Sequence, residues 1–167
     1  MAPSLKPLYE LSADSALTML QAAKKKAEQL GINACISVVG PQGIPLASIR
    51  MNCAPLLSAS LAEDKAYTAV SFNRATHEWD DHLALQPKVQ QALAKRDRFT
   101  MLGGGLPINL PAEPPQSPAA DTHLPTQSAL LVGAIGVSGG SVHQDIECAQ
   151  AAIAVLGMKC TPVDENH

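Results

Sequence analysis

The chain is predicted to fold as an α+β protein, an antiparallel sheet with helices packed on its faces. Two observations predict it. Helical, amphipathic patterns bracket the 167 residues and recur in the middle. The extended runs between them arrive in pairs joined by turns, which suits hairpins and an antiparallel ladder rather than a doubly wound parallel sheet.

Ser12 to Leu30 carries Ala13, Leu17, Leu20, Ala23, Ala27 and Leu30 at steps of three and four. That is one apolar helix face, with Ser12 placed to cap its start and Gly31 to end it in the left-handed conformation. Asn33 to Val39 is rich in β-branched residues, Gly40-Pro41-Gln42-Gly43 makes a turn, and Ile44 to Met51 extends again. Together they predict a hairpin, in which Pro45 marks an edge strand or a bulge because it cannot donate to a ladder. Ser58 to Asn73 reads as a second helix, with Ser60 and Glu63 in capping-box spacing, a possible start at Ser58, and Leu57, Leu61, Ala69 and Phe72 toward the core. A less regular stretch runs to Leu85, and Pro87 suits the first turn of a short helix ending near Arg96. Phe99 to Leu102, Gly103-Gly104-Gly105 and Leu106 to Leu110 form an extended segment with a tight backbone passage. Pro111 to Gln127, rich in Pro, Ala, Ser and Thr, has no hydrophobic period and reads as an exposed loop. Leu130 to Val137 is an apolar run expected as a buried strand, broken by Ser138-Gly139-Gly140. Ser141-Val142-His143-Gln144 is another capping box, opening a helix through Ile146, Ala149, Ile153 and Leu156 that Gly157 closes. The whole is expected as one domain over residues 1–167, with a core of about 11–156 and a tail at 158–167.

Composition narrows the function classes. Hydrophobic residues make up 46% and aromatic residues only 3%, so the core must be built from small and aliphatic side chains. The net charge is −3 and the one basic run, Lys24 to Lys26, falls near a helix end, where it suits the dipole; nucleic acid is not an expected partner. The stretch before Leu11 is interrupted by Pro3, Lys6, Pro7 and Glu10, so no export signal is expected. Thr122 to Gln144 lacks Asp, Glu, Lys and Arg, but Pro125 and its glycines exclude a membrane helix. Cys35, Cys53, Cys148 and Cys160 lie far apart without metal-site spacing, which leads to an expectation of reduced thiols in the cytoplasm. Cys35 and Cys148 fall on predicted core faces as small hydrophobes.

Three segments in register carry a resemblance. Asp64-Lys65-Ala66-Tyr67-Thr68-Ala69, Arg98-Phe99 followed by Gly104-Gly105-Leu106-Pro107-Ile108, and Val132 to Gly140 followed by Gln144-Asp145 resemble the GlcG/HbpS family. The C-terminal domain of PduO-type corrinoid adenosyltransferases belongs to it too. The likeness runs from about Leu11 to Leu156. It implies a profilin-like fold, a five-stranded antiparallel sheet between helices in three α/β/α layers, and homo-oligomers from dimers upward. It implies haem as a ligand of some members and leaves others without an established activity. The family joins the strands ending at Ile108 and beginning near Val132 by a short turn, so Pro111 to Gln127 stands out as an insertion.

Several residues are candidates for chemistry. Gly103, Gly104 and Gly105 can present backbone amides to an anion, or can mark a close backbone approach. Ser138 to Ser141 precedes a helix N-terminus, either an anion site or an ordinary capped turn. Lys65 and Thr68 share a helix face and would hold a ligand carboxylate or haem propionate if that face lines a pocket; otherwise Lys65 is solvated or an ion-pair partner between subunits. His77 and His82 flank Trp79 and are candidate haem ligands, or plain surface histidines, since no apolar slot is visible nearby. Glu63, Asp64, Arg50 and Lys65 are candidates to converge near the second helix. The leading expectation is a homo-oligomer that binds a small ligand, haem foremost. The rival is an isomerase or lyase with an intersubunit pocket, in which Lys65 and Arg50 grip a carboxylate-bearing metabolite and a histidine or carboxylate moves the proton. A third expectation is an accessory protein without its own ligand.

Overall fold

The computed structural model describes residues 8–110 and 129–157; the proline-rich stretch and the C-terminal tail lie outside them. The order of elements is α1 (Ala13–Gln29), β1 (Cys35–Val39), β2 (Pro45–Arg50), α2 (Ser58–Phe72), a 3-10 turn (Thr76–Glu78), α3 (Trp79–Leu83), α4 (Pro87–Leu93), β3 (Gly105–Leu110), β4 (Leu130–Ser138) and α5 (Val142–Ala154). The strands form one antiparallel sheet in the order β2-β1-β4-β3. Among the described residues the sheet has four strands, one fewer than the resemblance implied. Phe99 to Leu102 is extended in sequence character but pairs with no strand.

The helices begin where their caps dictate. Ser12 accepts a hydrogen bond from the Ser15 amide, and Gly31 follows α1 at φ +67°. Ser141 and Gln144 close a reciprocal capping box at the start of α5. Helix α2 starts at Ser58 without a side-chain cap: Ser60 instead donates to the Leu57 carbonyl, so the expected box with Glu63 does not form. Asn73 ends α2 in the left-handed conformation. The stretch before Pro87 is more regular than its sequence suggests, holding the 3-10 turn and α3.

Helices α1 and α5 pack on each other and on one face of the sheet, while α2 covers the other. The larger core lies under α1 and α5, where Met19, Leu20, Ala23 and Ala149 meet Ile36, Val38, Ile135 and Val137. The buried stripe of α1 is Ala16, Met19, Leu20, Ala23 and Ala27, with Leu17 exposed, so the core face is rotated from the expected one. On α2 the buried stripe is Ala62, Lys65, Ala66, Thr68, Ala69 and Val70; Leu57 and Phe72 are exposed. The α2 side of the sheet is built from small residues. A Cβ at Gly136 would run into the Ala62 carbonyl and lie 2.7 Å from the Ala66 amide nitrogen. Its ladder partner Gly105 would put a Cβ 2.8 Å from the Lys65 carbonyl carbon. Main chain thus meets main chain across this layer, which a chain with few aromatic residues can achieve by omission of side chains. Pro45 opens β2, an edge strand, opposite Val39 at a register shift, which satisfies both expectations for it.

Candidate functional site

Lys65 is neither a solvated lysine nor a pocket wall. Its residue is 3% exposed, and its Nζ donates to Asp145 Oδ2 at 2.8 Å and to the Val137 carbonyl at 2.8 Å. Asp145, 2% exposed, accepts from the Gly140 amide at 2.9 Å through its other oxygen. The pair ties α2 and α5, which lie on opposite faces of the sheet, across the end of β4. Gly104 makes the passage: at φ +113°, a Cβ there would lie 2.6 Å from the Val137 carbonyl oxygen and 3.1 Å from Lys65 Nζ. The Ser138 to Ser141 turn is thus occupied by a protein carboxylate. Asp145 was not among the candidates, yet it sits in register with Cys148, Ala149 and Ala152 on the apolar stripe of α5. Opposite charges on the buried stripes of two helices were the available signal.

Thr68 is also engaged within the fold. Its Oγ1 donates to the Arg98 carbonyl and accepts from the Thr100 amide, each at 3.0 Å. Arg98 adopts φ +68°, costing a non-glycine residue about 1–2 kcal/mol, and is held there by its contacts. Its guanidinium donates to Glu63 Oε1 at 2.7 Å and Asp64 Oδ1 at 3.3 Å and lies 4.0 Å over the Tyr67 ring. Gly103, Gly104 and Gly105 are buried, and the Gly105 amide donates to Thr76 Oγ1 at 2.9 Å. Van der Waals contact surrounds them, so the run is a close backbone approach rather than an open anion nest. Of Glu63, Asp64, Arg50 and Lys65, the two carboxylates converge on Arg98, Arg50 lines a separate cleft with Glu63, and Lys65 stands apart on Asp145.

The aromatic residues are concentrated. The single Trp and both Phe form one edge-to-face cluster, with Trp79 4.8 Å from Phe72 and 5.3 Å from Phe99 between ring centroids. Trp79 is buried, whereas Phe72 is 47% exposed. The exposed His82 ring packs edge-on to Trp79 at 5.4 Å. His77 is half-buried, and its Nδ1 is buried without a hydrogen-bond partner among the described residues. No group of three potential metal-ligating side chains is found among the described residues, and no helix there is long and apolar enough to cross a membrane.

The second feature is a shallow cleft of about 90 Å³ between the β1–β2 hairpin and the first turns of α2. Cys35 and Ser37 form its floor, Ser48, Arg50 and Ala59 its rim, and Glu63 a wall. Burial pushes the Cys35 thiol pKa up, against the opposing pull of the Arg50 charge. Cys148, fully buried in the other core, is pushed up to about 11, first by desolvation and then by the charges of Asp145 and Glu147.

The pattern of the HbpS-like family, described as haem-degrading protein HbpS-like, matches residues 11–114 and 124–154. The chain belongs to the HbpS-like family. The unmatched residues 115–123 fall inside the proline-rich stretch. Corrinoid adenosyltransferase PduO of Citrobacter freundii is 31% identical over 92% of the chain, which spans only 41% of that protein's length. An uncharacterised 15.0 kDa protein of the same organism is 33% identical over 83% of the chain and 87% of its own. Among solved structures, protein ORFY of Klebsiella pneumoniae aligns with a TM-score of 0.74 at 28% identity, covering 94% of this chain and 97% of that one. PduOC in complex with haem aligns with a TM-score of 0.66 at 32% identity, over 87% and 94% of the two chains. A double mutant of Streptomyces reticuli HbpS gives 0.72 at 28%, over 95% and 99%.

Proposed function

We propose that this HbpS-like chain is a single-domain, profilin-like, cytoplasmic homo-oligomer that binds haem at the aromatic wall whose exposed ring is Phe72, backed by Trp79 and Phe99. The observation that carries the reading is the wall itself. A chain with one Trp and two Phe gathers all three in one cluster, leaves Phe72 half-exposed and sets the exposed His82 ring against Trp79. Haem needs an apolar surface and an axial donor, and these residues fit both needs from one side. His82 is the favoured axial nitrogen because its ring is exposed beside the wall. His77 is the second candidate, its buried Nδ1 lacking the partner that normally orients a metal-bound histidine. The small cleft near Arg50, at about 90 Å³, is below the roughly 300–1,000 Å³ of ordinary ligand pockets and is not the haem slot. The second wall is assigned to a sister subunit. Bound haem would supply a redox-active iron. The chain's own part is to shield one face and hold the axial position. Lys65, Thr68 and the Gly103–Gly105 run serve the scaffold in this reading, since their polar groups are already used inside the fold. Support also comes from the alignment with PduOC, a relative crystallised with haem.

Haemin titration of the purified protein, with subunit mass recorded alongside, tests this. The expected result is a saturable Soret band, altered by His82→Ala and weakened by Phe72→Ser, at one haem per subunit or per dimer. A non-saturating response, or a band indifferent to both substitutions and to His77→Ala, overturns it.

A further inference from the structure

The cleft between the β1–β2 hairpin and α2 is independent of the aromatic wall. The strand register creates it: Cys35 pairs with Arg50 and Ser37 with Ser48, so these four residues stand as cross-strand neighbours on the α2 side of the sheet. Helix α2 runs over β4, β1 and β3 but leaves this edge of the sheet open. A polar floor results where an apolar one would pack more favourably. Ser37 is 2% exposed, and its hydroxyl has no hydrogen-bond partner among the described residues. A buried hydroxyl without a partner is costly, and a ligand atom in the cleft would relieve that cost.

At the rim stands Arg50, which spends one N–H on the Ala54 carbonyl at 2.8 Å and forms no ion pair among the described residues. Its remaining donors are a planar fork suited to a carboxylate. The nearest carboxylate in the wall, Glu63, is paired with Arg98 at 2.7 Å rather than with Arg50, so the Arg50 fork is not taken up by it. The volume, about 90 Å³, equals roughly three waters at ~30 Å³ each, room for a carboxylate bearing one or two further heavy atoms.

We propose that this cleft binds a small carboxylate, with Arg50 gripping the carboxylate and the Ser37 hydroxyl serving as its second polar contact. Arg98 acts as a positioning residue: it holds Glu63 and thereby sets the charge of the wall. Ser37 carries a signature that a purely structural residue would not. Replacing it by Ala removes an unsatisfied polar group, so the fold gains or keeps stability while the site loses a contact.

The test is a titration of the full chain with acetate, followed by amide chemical shifts, with inorganic phosphate as a tetrahedral comparison. Saturable shifts are expected at Ser37, Ser48 and Arg50. Arg50→Met should weaken acetate binding by about tenfold or more, and Ser37→Ala by about threefold, with an unfolding midpoint no lower than the parent's. Because Arg50→Met also removes the bond to Ala54, Ser37→Ala decides if the former misfolds. Shifts absent or scattered outside the cleft overturn the site. Phosphate binding without acetate binding overturns the carboxylate. A destabilised Ser37→Ala that still binds acetate normally overturns the role of its hydroxyl.

Discussion

Breaking the Lys65–Asp145 pair from one side should cost far more than removing both charges. At 2.8 Å and an effective dielectric constant of 20, the attraction between the two charges is roughly 6 kcal/mol. Desolvating two ions at 3–4% side-chain exposure costs several kcal/mol each, so the intact pair contributes little net stability. Asp145→Asn leaves the ammonium buried without its counter-charge, still donating to the Val137 carbonyl, and Lys65→Met leaves the carboxylate with the Gly140 amide as its donor among the described residues. Each single change should therefore lose about 3–5 kcal/mol, a large part of the ~5–15 kcal/mol that holds such a domain together. The double variant should lose less than the sum by about 2 kcal/mol. Urea unfolding followed by circular dichroism, at fixed protein concentration and with slopes compared, gives all four values. Single losses below about 1 kcal/mol, or losses that add within ~0.5 kcal/mol, would refute the pair as a buried, coupled clasp.

Gly136→Ala should destabilise by about 3 kcal/mol because the new methyl meets the α2 backbone, whereas Gly31→Ala, with open space and only its positive φ to pay for, should lose about 1 kcal/mol; thermal melts distinguish them. The Cys148 thiol has its folded pKa raised from 9.0 to about 11, so its contribution is fully present below pH 9 and lost as pH climbs toward 11, on the order of 2–3 kcal/mol. Unfolding free energies at pH 8 and 10.5 should converge in Cys148→Ala relative to the parent, and an unchanged alkaline slope would count against the assignment. Ser141→Ala removes one half of the α5 capping box and should lower stability by about 1 kcal/mol, measurable as a shift in the urea midpoint.

Helices α1, α2, α4 and α5 and the paired strands were legible because their signals are local, whereas the 3-10 turn and α3 were not. Ser12, Ser141 and Gln144 name helix starts by side-chain chemistry, and Pro45 names an edge by its missing donor. What stayed illegible depends on which stripe of a helix meets which surface. Leu57 and Phe72 were expected inward on hydrophobicity alone, but the sheet beneath α2 presents Ala134 and Gly136, and only Ala-sized neighbours approach that closely. Lys65 reads from sequence as a residue for solvent, a ligand or a partner subunit because lysine seldom lies in a core; its partner Asp145 is eighty positions away, and no local pattern joins them. Arg50, by contrast, is placed beside Cys35 by the hairpin register, and helix α2 brings Glu63 to the same cleft. The aromatic wall escaped because Phe72, Trp79 and Phe99 meet only after the chain turns back between α2 and β3.

The small size of the side chains between α2 and the sheet, with main chain meeting main chain at Gly105 and Gly136, has a mechanical meaning. A layer seated on Leu or Met can slide by exchanging rotamers; one seated on peptide groups at Gly105 and Gly136 has none to exchange. Helix α2 is therefore a fixed jaw, and Glu63 on its flank keeps a constant spacing from Ser37 and Arg50. The spacing of the cleft's floor and wall is thus set by the backbone, whereas Ser48 and Ala59 at its rim are exposed and can change without disturbing the core.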